Sequence, residues 1–369
     1  MQVVHFCPRP SFSGLEQYAW ILACAQKTMG HEVKFVALRN SPLEKKCIQT
    51  HIPVIPLDFY LRFGTHLFTN EDDIKILHLH STLDARYLWP FLFFRKYLTP
   101  KKLKIILQTH IWLDHKKNDP FHKLLYSNID EIWCSSQLAK DNLEKIMPVP
   151  LEKIRVVNYG RDVKNIDNFL LSREMARHSL KLPQNKTIIG SVNRIDSGKG
   201  VFEFVEGMLP LLKSNMDLAI AWVGHPTADQ AGALYNRKLM HFIHELPIDI
   251  RERVFFVGGI PDSYKYLRAF DGYILPTYKE CFSLGLMEAQ VAGVPCMGTN
   301  SGGTPEIINE GKTGWLFAPK SPTAVTEVVE RFLGERNCWE EFAKRARLRM
   351  EKDFDFPVVF LKVMNMYQD

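Results

Sequence analysis

Two parallel, doubly wound α/β domains in one chain is the fold this sequence predicts. Three observations lead there. An apolar run at Val3 to Cys7 is followed by a Pro/Ser/Gly loop, a helical repeat from Leu15 to Met29 and a second apolar run at Val33 to Leu38. That strand–loop–helix–strand order is how a parallel sheet with covering helices begins. The same order restarts at Thr187 to Val192, after a charged stretch that ends at Pro183. At 369 residues, 46% apolar and 24% charged, the chain also has the length and composition for two cores.

The elements follow in order. Gly30 closes the first helix. Further strands are expected at Ile74 to His80, Leu103 to Gln108, Glu131 to Cys134 and Ile154 to Val157, with helical patterns between them. Thr109-His110 sits just past a strand end, where open α/β sheets place their ligands. His78 and His80 alternate on one strand and so share a face, but no third metal ligand is evident beside them. The stretch from Lys164 to Leu182 reads as a linker and a first helix. After Thr187 to Val192 comes Asn193-Arg194-Ile195-Asp196-Ser197-Gly198-Lys199-Gly200, then a helix from Val201 to Leu212. A strand, a polar glycine loop carrying Arg and Lys, and a helix N-terminus make a good seat for phosphate. The loop has neither a GxGxxG nor a Walker pattern, which counts against a dinucleotide oxidoreductase and an ATPase. Strands at Asp217 to Val223, Arg253 to Val257 and Gly272 to Leu275 complete the regular pattern, with a helix at Asp262 to Phe270.

The bulk properties exclude several classes. Seven cysteines are scattered without a CxxC pair, which argues against a disulfide framework or a zinc site and fits a reducing cytoplasm. The opening MQVVHFCPRP lacks the form of a signal peptide. Apolar runs fall short of the ~20 residues that span a bilayer. A net charge of +6 suits anionic substrates or an anionic membrane surface and is too mild to suggest nucleic acid. Two aromatic and basic segments, 59–63 and 87–97, suit a lipid interface; a core helix with a basic end is the alternative.

The most informative stretch is PTYKECFSLGLMEAQVAGVPCMGTNSGGTPEIINEGKTGWLF, Pro276 to Phe317. A helix starting near Ser283 places Glu280 before its N-terminus and Glu288 in its second turn. Free backbone N–H groups and the helix dipole would then favour a diphosphate there. Glu280 could take sugar hydroxyls and Glu288 a ribose diol. Gly302 and Gly303 would let backbone approach a ligand, and Pro305 suits the first turn of another helix.

Glu280-x7-Glu288, GVP at Gly293 to Pro295, GGTPE at Gly302 to Glu306 and GKTGWLF at Gly311 to Phe317 resemble, in order and spacing, the donor-binding half of the family 4 glycosyltransferases. Those are retaining, nucleotide-sugar-dependent enzymes of the GT-B fold. The resemblance implies two Rossmann-like domains facing a cleft, at 1–163 and 164–353, with a last helix (354–369) that crosses back to the first. It implies that Arg194 and Lys199 neutralise the nucleotide diphosphate and that Glu280, Cys281, Phe282, Ser283 and Leu284 bind the donor. Glu288 would hold the ribose, the backbone at Gly258 the base, and His110 the reacting centre of the sugar. Gly14 is the close-approach residue of the first loop, where Ser13 departs from the usual GG pair. Tyr159 departs again, standing where the family's NG-x-D has Asn.

Glu280 taken alone could serve as a nucleophile for double displacement. The resemblance implies front-face attack instead, with Glu280 holding a donor hydroxyl. The one DxD, Asp353-Phe354-Asp355, lies far from the phosphate loops and reads as a helix cap. Fixed cations and N–H groups would then stabilise the leaving diphosphate, with no metal or other cofactor. The expected partners are a UDP- or GDP-sugar donor, a glycan or glycolipid acceptor of cell-envelope polysaccharide or lipopolysaccharide synthesis, and an anionic membrane at the periphery. A sugar-nucleotide epimerase and a degenerate nucleotide-binding protein of the same fold stand as alternatives.

Overall fold

The structure is a computed structural model that describes residues 1–12, 14–57, 75–98 and 103–368, with side chains not described at 95–98. The expected aromatic segment 59–63 lies outside the described residues. The chain divides into two units, Met1–Tyr159 with the chain from Val359 onward, and Gly160–Val358.

In the first unit, seven strands are found among the described residues. They are β1 (Gln2–Phe6), β2 (Glu32–Leu38), β3 (Val54–Leu57), β4 (Ile76–Leu79), β5 (Lys104–Thr109), β6 (Glu131–Cys134) and β7 (Ile154–Val156). All pair in parallel, in the order β3-β2-β1-β4-β5-β6-β7. β3 is the strand the sequence pattern misses, because Val54–Leu57 contains a proline. Its place at the sheet edge explains how Pro56 is tolerated. Apolar side chains fill both faces of the sheet. Phe6, Leu77, Leu79, Ile105 and Leu107 belong to one core; Cys7, Ala19, Ala23, Phe35 and Ala37 belong to the other. Burial on both sides is why these strands read as continuous apolar runs rather than alternating ones.

The second unit repeats the plan. Its six strands among the described residues are β8 (Thr187–Val192), β9 (Leu218–Val223), β10 (Val254–Gly258), β11 (Gly272–Leu275), β12 (Cys296–Thr299) and β13 (Trp315–Phe317), in the parallel order β10-β9-β8-β11-β12-β13. β12 and β13 are too short for a period to show in the sequence. The expected linker contains two helices, Val163–Phe169 and Arg173–Ser179, each started by a side-chain cap, from Asp162 and Ser172. Asp262 to Phe270 forms a 3₁₀ helix at Ser263–Ala269 rather than an α-helix. The helix Val201–Ser214 packs Val201, Phe204, Val205 and Met208 on the sheet, each contributing on the order of 1.5–3 kcal/mol for full burial of a large apolar side chain.

Both sheets reverse direction at their centres, between β1 and β4 and between β8 and β11. Such a switch point leaves a crevice at the carboxyl ends of the two central strands. The residues that carry chemistry collect there in each unit.

Candidate functional site

In the second unit, three turns meet beyond the carboxyl ends of β8, β11 and β12. The first is the loop from Asn193 to Gly200. Gly200 caps the following helix with φ +68°, a left-handed conformation, and a Cβ there would lie 2.1 Å from the Pro276 carbonyl oxygen. The loop can therefore press against the second turn, Pro276 to Ser283. The Tyr278 N–H donates to the Gly198 carbonyl at 3.0 Å, and the Tyr278 hydroxyl donates to Glu203. The third turn, Ser301 to Thr304, is fastened to the second. Ser301 Oγ donates to the Tyr278 carbonyl (2.8 Å) and the Gly303 N–H to the Glu280 carbonyl (2.7 Å).

The glycines of the third turn serve the chain's own packing. Gly302 and Gly303 are required by the chain's own backbone. A Cβ on either would stand 2.0 Å from the Glu280 carbonyl oxygen or 2.1 Å from that of Cys281. Their role here is to hold the Glu280 turn in place.

That turn sets Glu280 against Lys199, Oε2 to Nζ 2.7 Å, with the two side chains 24% and 14% exposed. Arg194 lies on the same loop as Lys199, 64% exposed, with its guanidinium 3.7 Å from Asp196. It borders a depression of about 470 Å³ shared with Thr227, Tyr235 and Lys238. Ser283 is the N-cap of the helix Leu284–Val291, its Oγ accepting from the Leu286 N–H at 3.3 Å. The side chains of Cys281 and Phe282 are buried, Phe282 with its ring centre 5.5 Å from that of Phe354. What this segment can offer a ligand is backbone N–H and the dipole of the helix. Gly258 ends β10 at φ +83°.

Glu288 lies in the second turn of that helix, paired with Arg161; the two side chains are 12% and 13% exposed. Burial pushes the Glu288 carboxyl above the ordinary carboxylate range, and the guanidinium opposes that shift. Arg161 is held through its backbone. Its N–H donates to the Phe354 carbonyl (2.9 Å) and its carbonyl accepts from the Phe356 N–H (3.0 Å). No sequence spacing links Arg161 to a carboxylate 127 residues away, and sequence reasoning missed the pair. One carboxylate of the DxD, Asp355, ties its own segment to the start of the distant helix Val163–Phe169. Asp355 accepts from the N–H groups of Val163 (3.1 Å) and Phe356 (2.9 Å).

In the first unit, the strand ends carry histidine. Parallel register sets His5 on β1 opposite His78 on β4. His5, His78 and His80 are fully buried, with ligand-capable nitrogens within 4.8 Å of one another. His5 is the third imidazole that the sequence did not reveal, because only strand pairing brings it to His78 and His80. His110, half-buried just past β5, bonds His80 Nδ1 through Nε2 (3.2 Å) and the Tyr159 hydroxyl through Nδ1 (2.6 Å). Burial depresses all four imidazoles, His5 to about 4 and His110 to about 3, so they are neutral at pH 7. Beside them Asp84 pairs with Arg9 at 2.6 Å, yet burial raises its carboxyl to about 7. Gly14, at the start of the helix Gly14–Thr28, is exposed.

The helix Trp89–Leu98 answers the aromatic–basic segment in part. Phe91 and Leu92 are buried in the core, while Trp89 and Phe94 are 43% and 55% exposed. Among the described residues, no helix is long and apolar enough to cross a membrane.

Two family models match the chain, Glycosyltransferase Family 4 over residues 12–165 and Glycosyl transferases group 1 over residues 172–349. Among curated proteins, the chain is 24% identical to the N-acetyl-alpha-D-glucosaminyl L-malate synthase of Bacillus anthracis, over 85% of this chain and 80% of that one. It is 22% identical to the capsular polysaccharide biosynthesis glycosyltransferase CapM of Staphylococcus aureus, over 67% and 58% of the two chains. It is 27% identical to the lipopolysaccharide core biosynthesis mannosyltransferase LpsB of Rhizobium meliloti, over 54% and 56%. Beyond the first of these, the matches span 44% to 60% of the relatives' own lengths. Among solved structures, a glycosyltransferase from Rickettsia africae superposes over 100% of this chain and 97% of its own, with TM-score 0.86 and 18% identity. HepE of Anabaena in complex with UDP-glucose does so over 100% and 99%, with TM-score 0.84 and 15% identity. With one model on each unit and the fold shared end to end, the chain belongs to the family 4 glycosyltransferases, of the GT-B fold.

Proposed function

We propose that this protein transfers a hexosyl or N-acetylhexosaminyl group, with retention and without a metal, from a nucleotide-diphosphate sugar to a glycan or glycolipid acceptor of cell-envelope polysaccharide or lipopolysaccharide synthesis. The observation that carries the reading is the Lys199–Glu280 pair, held by interlocked turns beside Arg194 and the N-terminus of the Leu284–Val291 helix. A cation beside a carboxylate and a helix N-terminus matches the two ends of a sugar diphosphate. Lys199 and Arg194 take the phosphates, and Glu280 takes a sugar hydroxyl. The capsule and lipopolysaccharide activities for which two relatives are named, and the UDP-glucose bound to HepE, support the donor and acceptor classes.

In the reaction, the acceptor oxygen bonds the anomeric carbon on the face from which the diphosphate leaves. As the carbon–oxygen bond to phosphate breaks, the acceptor's proton passes to a leaving-phosphate oxygen. Positive charge from Lys199 and Arg194 stabilises that oxygen, which is the contribution a metal would otherwise make. His110, in the first unit, supports the reacting centre on the strength of the resemblance. Glu288 takes the ribose diol with one oxygen while Arg161 keeps the other. Gly14 and the backbone at Gly258 lie against the donor. Trp89 and Phe94 contact the inner face of an anionic membrane.

A thermal-shift screen against UDP, GDP, ADP, CMP and their sugar conjugates, with and without EDTA, tests the donor reading. A ligand that binds only the folded chain raises the melting temperature. One nucleotide should give a shift that EDTA leaves intact and that Lys199→Ala abolishes. Absence of a shift from every nucleotide in the screen, or a shift abolished by EDTA, would overturn the metal-free donor site.

A further inference from the structure

Three histidines of the first unit, His5, His80 and His110, form a single line of hydrogen bonds, while His78 beside them bonds the Tyr367 hydroxyl through Nδ1 at 2.6 Å. From the interior outward, His5 Nε2 meets Gln26 Oε1 at 2.8 Å, and His5 Nδ1 meets His80 Nε2 at 2.9 Å. His80 Nδ1 then meets His110 Nε2 at 3.2 Å, and His110 Nδ1 meets the Tyr159 hydroxyl at 2.6 Å. Each neutral imidazole has one donor and one acceptor nitrogen, so one end of such a line fixes every proton in it. Gln26 presents its carbonyl oxygen. His5 must therefore donate from Nε2 and accept at Nδ1, His80 must do the same toward His5 and His110, and His110 accepts the Tyr159 hydroxyl proton at Nδ1.

We infer that Tyr159 and Gln26 are positioning residues, which act through His80 and His5 to hold the His110 ring in one tautomer and one orientation. An amide cannot take up a proton at neutral pH, so the line ends without a sink and carries no net proton. It orients. Tyr159 is also the position at which this chain departs from the family's usual Asn, and its ring packs 4.7 Å from that of Tyr18 and 5.6 Å from that of His110.

A metal held by His5, His78 and His80 is the competing use of these groups. The ring geometry argues for hydrogen bonds. The ring centres of His5 and His80 are 5.2 Å apart and those of His80 and His110 5.5 Å. Each value is the N···N distance extended by about one ring radius at either end, so both bonds run straight along the rings, as N–H···N bonds prefer. Two imidazoles on one tetrahedral ion would meet at a bend instead.

The effect on rate rests on the assignment of His110 to the reacting centre; the proton arrangement does not. The test is two-bond ¹H–¹⁵N correlation of histidine rings in the full chain, with the Tyr159→Phe and Gln26→Met variants. Wild type should show His110 as the Nε2–H tautomer. Gln26→Met, three hydrogen bonds away, should give a mixture of tautomers, a change that simple loss of packing would not produce. Tyr159→Phe should lower kcat roughly tenfold with donor KM within about twofold, because a ground-state contact is untouched while orientation is lost. If Tyr159→Phe is poorly folded, Gln26→Met carries the test. A wild-type His110 in the Nδ1–H form, or stoichiometric metal in the purified protein, would overturn the inference. Loss of rate in His110→Ala with none in Tyr159→Phe or Gln26→Met would overturn the positioning role alone. Unimpaired rate in His110→Ala would instead remove His110 from the proposed reaction.

Discussion

The two units place opposite chemistry at the same point of the same topology. In each, the carboxyl ends of the two central strands open a crevice at the switch in strand order. The first unit fills it with neutral imidazoles, three of them hydrogen-bonded in a line. The second lines it with an exposed arginine, a lysine–carboxylate pair and a helix N-terminus. The difference is one of solvation. Three of the four imidazoles share a dry interior because each neutral ring satisfies its neighbour, and the fourth, His78, bonds the Tyr367 hydroxyl instead. In the proposed function Lys199 and Arg194 meet a phosphate as cations; Arg194 stands in water, and Lys199, largely buried, is paired with Glu280. The fold supplies a place, and the side chains decide whether it becomes a rigid support or a receptive surface.

The largest effect that would sharpen this contrast is acid sensitivity confined to the first unit. Its four histidines have folded pKa values below the ordinary 6.5, His5 at about 4 and His110 at about 3. The unfolded chain then binds more protons as pH falls below 6.5, so their stabilising contribution is full above 6.5 and is lost toward about 4. Each histidine withholds roughly 1.4 kcal/mol per pH unit within that window. Asp84, raised to about 7, binds its proton earlier when folded and offsets about one of them. Urea unfolding followed by unit-specific tryptophan signals between pH 7.5 and 5 should show the first unit failing first. Equal loss in both units would break the comparison.

Next in size is Arg161→Ala. It strands the buried Glu288 carboxylate and should destabilise the second unit by about 3–5 kcal/mol, as broken buried pairs do. Arg161→Ala combined with Glu288→Gln should recover part of that, which denaturant midpoints would read directly. Lys199→Ala removes the charge that the proposed reaction sets on the leaving phosphate and should cut kcat by about 10²-fold with little change in melting temperature. Wild-type turnover in that variant would remove Lys199 from the site. The smallest effect is expected from Trp89→Ser with Phe94→Ser. Both side chains are exposed, so stability should move by less than about 0.5 kcal/mol. Sedimentation with anionic liposomes should fall several-fold; unchanged sedimentation would confine this helix to its role in the core.

Much of this was legible in the chain itself. Apolar runs and glycine loops located ten of the strands, because burial on both faces writes a run that a single sequence displays. The glycine loop at Asn193 to Gly200 and the Glu280 to Phe317 motifs marked the positions of the three turns, since glycines such as Gly200 and Gly302, at positive φ, show in a sequence as turns. The Pro-containing edge strand β3 and the short β12 and β13 escaped, because their identity comes from pairing and not from pattern.

What the sequence determined by itself was the class of fold, the loop that carries Arg194 and Lys199, and the helix between Glu280 and Glu288. Each depends on residues within a turn or two of one another. Tertiary structure alone decided that Arg161 holds Glu288, that Gly302 and Gly303 serve the Glu280 turn, and that His5 and Gln26 stand behind His110. Those partners come together through parallel strand register and interlocked turns, and such contacts leave no trace in local spacing.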